Sequence, residues 1–192
     1  DADAWQTLDA RLAALRPHQW LKNALVFVPL LAAHLAFMPD ALMRSLTAFC
    51  AFSLCASGAY VLNDLFDLDA DRHHPRKRLR PFAAGLLPLR SGLIAAPLLP
   101  LAAFAIASTL SPRFMLVLLS YAVVTLVYSL LLKRIAMLDV VTLAALYTIR
   151  IIAGAVAIPV EASFWLLAFS MFLFLSLAMT KRYTEIRRVA AG

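Results

Sequence analysis

The sequence predicts an all-α fold, a polytopic bundle of transmembrane helices, and three observations lead to it. Of 192 residues, 63% are hydrophobic and the mean hydropathy is +0.82, whereas a water-soluble domain is typically about half apolar. The apolar residues form continuous stretches without the alternation of a membrane barrel, which excludes strands. The basic residues collect in alternate intervals between those stretches, as in multi-pass proteins.

Taken in order, residues 1–22 are an N-terminal segment whose Trp5, Leu8, Leu12 and Leu15 make a mild amphipathic pattern. That pattern suits a helix on the membrane surface or a linker from an upstream domain. The chain starts at Asp1 and stops at Gly192 after a basic segment, so it reads as a piece of a longer protein, with residues 23–192 as an incomplete membrane domain. Six stretches follow, namely Asn23 to Met38, Ala41 to Leu62, Leu89 to Leu110, Phe114 to Leu132, Leu138 to Ile158 and Ala162 to Met179. A hydrocarbon core takes about 20 residues of helix, so six spans are expected, the first being the shortest.

Eighteen Lys and Arg against eleven Asp and Glu give a net charge of +7. Arg11, Arg16 and Lys22 precede the first span, Arg72 to Arg90 separate the second and third, Lys133 and Arg134 the fourth and fifth, and Lys181 to Arg188 follow the sixth. Those are alternate intervals, so the positive-inside rule puts both termini on the cytoplasmic side of the cell inner (plasma) membrane. Anionic lipid headgroups and phosphorylated substrates account for the charge without nucleic acid. Cys50 and Cys55 lie five residues apart in one span, on different faces, as packing residues. His73 and His74 stand among arginines, where phosphate contact or solvation suits them better than zinc.

The chemistry-bearing segment is Asn63 to Asp71, with four carboxylates directly after an apolar run and directly before Arg72 to Arg80. If the helix continues through it, Asp64, Asp67 and Asp71 share one face at i, i+3 and i+7, with Asn63 beside Asp67, while Asp69 points elsewhere. Carboxylates on one stripe repel unless a cation sits among them, and hard oxygen donors favour magnesium or calcium. The alternative is a solvated acidic helix end balanced by the arginines that follow.

Arg150 falls roughly 16 Å along the span from Asp139, near mid-membrane, and shares a stripe with Asp139, Leu143 and Leu146, with Tyr147 beside it. It either contacts a phosphate or ties helices together through backbone carbonyls. Asp139 suits a ligand, a partner for Lys133 or Arg134, or a helix cap. Tyr128 is an interface anchor or, with Ser129 and Lys133, part of a site for a developing cation and a phosphate. Arg72, Arg76, Lys77, Arg78 and Arg80 are topology signals or phosphate ligands, and Arg16 and Lys22 could close the same site.

Several motifs together resemble one family. Arg16-Pro-His-Gln-Trp20-Leu-Lys22-Asn23, Asn63-Asp64-x-x-Asp67-x-x-x-Asp71-Arg72 and His74-Pro75-x-Lys77-Arg78-x-Arg80-Pro81 resemble the UbiA superfamily of intramembrane prenyltransferases. They look most like its branch containing decaprenyl-phosphate phosphoribosyltransferase. Tyr128-Ser129-x-x-x-Lys133-Arg134, Leu138-Asp139-Val140, Arg150-x-x-Ala153-Gly154 and Lys181-Arg182-Tyr183-x-Glu185 fit the same branch. The resemblance implies about nine helices around a central cavity, so six would be a truncated part. It also implies Mg2+ on a diphosphate, held by Asn63, Asp67 and Asp71 with Asp64 close by. Where aromatic prenyltransferases carry a second pair of aspartates, this chain has Lys181, Arg182 and Glu185.

The implied reaction is transfer of 5-phosphoribose from phosphoribosyl diphosphate to a polyprenyl phosphate, with Asp64, Asp67 and Asp71 as the catalytic carboxylates. Arg16, Lys22, Arg72, Lys77, Arg78, Tyr128, Lys133, Asp139, Arg150, Lys181 and Glu185 are then the substrate-binding residues. The alternative on the same scaffold moves a polyprenyl group from its diphosphate to an aromatic acceptor. A non-enzymatic anion transporter is a third reading, which leaves the acidic stripe without a use.

Overall fold

The computed structural model describes residues 2–190, apart from the side chains of residues 2–7, 134, 136, 185, 186 and 188–190. Regular structure among the described residues is helical throughout. It comprises α1 (Ala2–Leu15), a run of 3₁₀ turns (Pro17–Phe27), α2 (Val28–Ala32), α3 (Pro39–Phe66), α4 (Leu68–His73), a 3₁₀ turn (Lys77–Leu79), α5 (Leu89–Ala107), α6 (Pro112–Leu130), another 3₁₀ turn (Leu132–Arg134), α7 (Ala136–Ala157) and α8 (Phe164–Ala190). Of these, α3, α5, α6, α7 and α8 are long and apolar enough to cross a bilayer, as expected of an integral membrane protein.

Five of the six expected stretches are therefore membrane-length helices, and the first, Asn23 to Met38, is not. Its place is taken by the 3₁₀ run, which starts six residues earlier at Pro17, and by the five-residue α2. Pro29 lies in the first turn of α2, where a missing N–H is tolerated, and it disfavours an α-helix running into it from Val28. His34, at φ +57°, closes α2 after Ala33: Leu35 N–H reaches the Leu30 carbonyl at 3.0 Å and His34 N–H reaches that of Leu31 at 3.1 Å. This is a Schellman closure with a non-glycine residue in the left-handed position.

The chain divides into two compact units, Asp1–Asn23 with Cys50–Thr109, and Ala24–Phe49 with Leu110–Gly192. In the first, Ala10 and Ala14 of α1 join Val61, Phe82, Leu87 and Ala96 in one apolar core, so the N-terminal segment packs here through its small residues. Leu8 and Leu12 remain exposed. Helix α5 carries Pro97 and Pro100 internally. A Cβ on Gly58 would lie 2.5 Å from Pro100 Cδ, so glycine is what lets α3 receive the proline ring.

In the second unit α7 packs against α6, α8 and α2. Its buried residues are mostly small, with Ala144, Ala153, Gly154, Ala155 and Ala157, and such residues let helix backbones approach closely without a hydrophobic driving force between them. Ser111 caps α6 by accepting the Phe114 N–H at 3.1 Å, and Pro112 takes the first helical position. A Cβ on Gly154 would run into the Val26 carbonyl. Gly154→Ala should therefore destabilise the protein by about 1–3 kcal/mol. Thermal unfolding in detergent checks this, with Gly85→Ala as the comparison for a glycine that has open space around it but a left-handed backbone (φ +75°).

Candidate active site

One face of α3 supplies the site in the first unit. Ser53, Ser57, Tyr60 and Asp64 recur at intervals of four, three and four, so they lie in one row of the helix. The N-terminal segment meets that row residue by residue. Asn23 Nδ2 donates to Ser53 Oγ at 3.1 Å and Trp20 Nε1 donates to Ser57 Oγ at 2.9 Å. The Ser57 hydroxyl in turn donates to the Leu15 carbonyl at 2.8 Å. Arg16 places its guanidinium 5.2 Å from the Tyr60 ring centre and bonds Asp64 Oδ1 through Nη2.

Arg16 is held at φ +52°, a left-handed conformation that a side-chain-bearing residue adopts at a cost of about 1–3 kcal/mol. It precedes Pro17, which disfavours the α region for it. The ion pair to Asp64, the ring of Tyr60 and the bond from Ser57 to its neighbour Leu15 over-determine that conformation. The sequence expectation placed Arg16 on substrate phosphate; here its guanidinium holds Asp64.

Helix α3 ends at Phe66, and α4 restarts at Leu68 with Asp67 at the junction. The bonds Asp67 N–H to Asn63 C=O, 2.9 Å, and Asp71 N–H to Asp67 C=O, 2.8 Å, carry the helical register across it. Asp64 and Asp71 therefore keep the shared face expected of them, and both are buried, at 2% and 1% exposure. Asn63 and Asp67 are half-buried. Arg80 Nη1 bridges the pair, 3.2 Å from Asp64 Oδ1 and bonded to Asp71 Oδ2, while Lys77 Nζ lies 4.0 Å from Asp71 Oδ1.

Asp64 Oδ2 and Asp71 Oδ1 are buried with no hydrogen-bond partner. Hard carboxylate oxygens with spare capacity, next to the half-buried Asn63 and Asp67, have the donor chemistry of a magnesium site. Among the described residues no three His, Cys, Asp or Glu side chains gather as an ion-holding group, and the positive charge between Asp64 and Asp71 is that of Arg80. The residues fit the ion in chemistry, with a guanidinium lying between two of the carboxylates.

The remaining basic residues of this unit lie around the acidic pair or outside it. Arg72 is exposed and pairs with the exposed Asp69 at 3.9 Å; Lys22 and Arg78 are exposed. His74 Nδ1 accepts the N–H of Arg76 at 3.2 Å and so shapes the loop, and His73 Nδ1 donates to the Asp69 carbonyl at 2.8 Å. Cys50 is exposed and Cys55 is buried.

The second unit holds a separate polar cluster. Arg150, 5% exposed, bonds the Leu146 carbonyl through Nη1 and the Tyr121 hydroxyl through Nη2 at 3.0 Å. Its guanidinium carbon lies 4.9 Å from the Tyr121 ring centre and 5.5 Å from that of Tyr147, which stacks on Phe174 of α8 at 4.9 Å. The arrangement is that of an arginine tying α6, α7 and α8 together. The Tyr128 hydroxyl donates to Asp139 Oδ1 at 2.7 Å, while the cap of α7 is Ile135 with no side-chain bond. Lys133 and Lys181 are exposed, and the side chain of Glu185 lies outside the described residues.

Sequence reasoning gave no role to Ser53, Ser57, Tyr60 or Tyr121, and left Arg80 among a run of equivalent cations. The serines carried a usable signal, since their spacing continues the row of Asp64 and Asp71 back into an apolar helix. Nothing in the local sequence singles out Arg80 or Tyr121.

The family model of the UbiA prenyltransferase family matches residues 24–190. The nodulation protein NoeC of Azorhizobium caulinodans is 44% identical over 179 residues, covering 92% of this chain and 57% of that protein. The decaprenyl-phosphate phosphoribosyltransferase of Mycobacterium tuberculosis is 38% identical over 181 residues, covering 90% of this chain and 59% of that one. The chain spans between 35% and 59% of the length of these and another curated relative. Among solved structures, a UbiA homologue from Archaeoglobus fulgidus bound to DMAPP and Mg2+ superimposes with a TM-score of 0.73 at 22% identity, over 86% of this chain and 60% of that one. This likeness shows the fold.

Two substitutions test the two clusters separately. Ser57→Ala removes the partner of both Trp20 and Leu15 and should cost about 1–3 kcal/mol, read as a lower melting temperature and a shifted Trp20 emission. Tyr121→Phe keeps the ring over Arg150 but removes its hydroxyl. It should cost about 1–2 kcal/mol, and Tyr121→Leu more, as measured by thermal unfolding in detergent.

Proposed function

The chain belongs to the UbiA prenyltransferase family, and from that premise we propose that its protein is a membrane transferase that moves 5-phosphoribose from phosphoribosyl diphosphate to a polyprenyl phosphate, with Mg2+. The observation that carries this reading is the excess of cations around the buried acidic pair. Arg16, Lys77 and Arg80 all lie within 4.0 Å of Asp64 or Asp71, and Lys22, Arg72 and Arg78 add exposed charge in the flanking segments. Two phosphorylated substrates make fuller use of such charge than one prenyl diphosphate with an aromatic acceptor. The 38% identity to the mycobacterial phosphoribosyltransferase supports the same choice.

In this mechanism Asn63, Asp67 and Asp71, with Asp64 beside them, are the residues assigned to magnesium, which when bound supplies charge that helps diphosphate leave. Arg16 and Arg80 hold Asp64 and Asp71 in place through one oxygen of each. Lys22, Arg72, Lys77 and Arg78 take phosphate oxygens, the arginines in bidentate fashion. The bond from C1 of the ribose to the diphosphate oxygen breaks as a phosphate oxygen of the polyprenyl phosphate forms its own bond to C1. That nucleophile is already an anion, so no side chain has to act as general base.

The second unit's assignments rest on the branch resemblance. Tyr128, its hydroxyl fixed by Asp139, is assigned to the cationic centre. Lys133 and Lys181 are assigned to phosphates, and Arg150 and Glu185 to substrate. The exposed apolar side chains of α5, α6 and α8 meet lipid. The protein sits in the inner (plasma) membrane with the acidic segment on the cytoplasmic side, because Arg72 to Arg90, Lys133 and Lys181 to Arg187 follow alternate spans.

Binding in detergent tests the reading. With Mg2+ present the protein should bind phosphoribosyl diphosphate, and Asp67→Asn should weaken that binding at least tenfold. Binding of geranyl diphosphate alone would transfer the protein to the aromatic prenyltransferases. Metal-independent binding that tolerates Asp67→Asn would make it an anion carrier.

A further inference from the structure

Arg80 has a place that phosphate binding alone does not explain. Its Nη1 takes one oxygen of Asp64, at 3.2 Å, and one of Asp71, and leaves the second oxygen of each buried without a hydrogen bond. Two buried carboxylates this close to one cation would repel each other without it. Of the two arginines that hold Asp64, Arg80 is the better placed to let go. Its side chain is 26% exposed, and it follows the exposed stretch 72–79. Its backbone, extended at φ −64° and ψ 145°, is anchored by the neighbouring Phe82 in the apolar core. The guanidinium can leave the carboxylates by side-chain rotation while the backbone stays put. Arg16 lacks that freedom, being locked by Tyr60, Ser57 and its own left-handed backbone.

We propose that Arg80 is an exchangeable counter-cation that couples metal binding to diphosphate binding. With neither bound, it neutralises Asp64 and Asp71. Arg16, Lys77 and Arg80 then match Asp64, Asp67 and Asp71 in number, so a bare divalent ion approaches a cluster with no net negative charge to hold it and is disfavoured. A divalent ion carried by a diphosphate arrives as a net anion. Asp64 and Asp71 would hold it through the oxygens that carry no hydrogen bond, and Arg80 would turn from the carboxylates to the diphosphate, exchanging one pair of charge-assisted bonds for another. Metal and diphosphate therefore bind together rather than one after the other. This rests on the proposed function only in requiring a diphosphate, of whichever substrate.

The test measures Mn2+ binding by electron paramagnetic resonance on the purified protein in detergent, with and without inorganic pyrophosphate, for wild type, Arg80→Gln and Arg80→Lys. Wild type should bind Mn2+ alone weakly and at least tenfold tighter with pyrophosphate. Arg80→Gln should bind Mn2+ alone at least tenfold tighter than wild type and lose most of the gain from pyrophosphate. Arg80→Lys, whose single ammonium bridges two carboxylates less well, should fall between them, and it carries the comparison if Arg80→Gln does not fold. The idea is overturned if neither variant binds bare Mn2+ tighter than wild type does, or if wild type binds Mn2+ equally well with and without pyrophosphate. Coupling that persists with pyrophosphate while phosphoribosyl diphosphate fails to bind would sink the proposed substrate and leave the role of Arg80 standing.

Discussion

The ion pair between Arg16 and Asp64 is the contact on which the first unit depends. A carboxylate at 2% exposure on an apolar helix is far out of water, and removing one partner of such a pair commonly costs about 3–5 kcal/mol. The chain answers with Arg16 from one side and Arg80 from the other. Arg16 in turn has to stand in a backbone conformation that arginine avoids, which is why Ser57 and Tyr60 are needed nearby. One buried charge thus dictates a left-handed residue, a serine in a membrane helix and the course of the segment that leads to it.

The second unit deals with its buried charge differently. Arg150 is met by a backbone carbonyl, a phenol and two aromatic faces. Because the partners come from α6 and α7, with Phe174 of α8 behind Tyr147, the charge also holds three helices in register. The same element type, an apolar helix carrying a buried ionisable residue, serves electrostatic balance in one unit and mechanical linkage in the other.

How much of this the sequence disclosed follows from how local each signal is. The five membrane helices were legible because twenty apolar residues in a row leave few alternatives. The 3₁₀ run was not, since composition reports apolarity and not rise per residue; only Pro17 and Pro29 hinted that an α-helix would be interrupted. The shared face of Asp64 and Asp71 was legible from spacing, and it survived the break at Asp67 because the backbone bonds on either side persist. Arg80 was illegible. It is one of several cations between Arg72 and Arg90, and what selects it is the loop that Phe82 pins to the core, a long-range fact. Tyr128 and Asp139, eleven residues apart across a helix turn, were each noticed, but their mutual bond was not.

The polar row of α3 also bears on how the chain meets the bilayer. Residues 17–23 carry His18, Gln19, Lys22 and Asn23, while α3 carries Ser53, Ser57 and Asp64 in one row. Each supplies what the other lacks, as Asn23, Trp20 and Arg16 meet Ser53, Ser57 and Asp64 in antiparallel order. Paired as a hairpin, the two segments satisfy in each other the polar groups that either would otherwise carry into the bilayer.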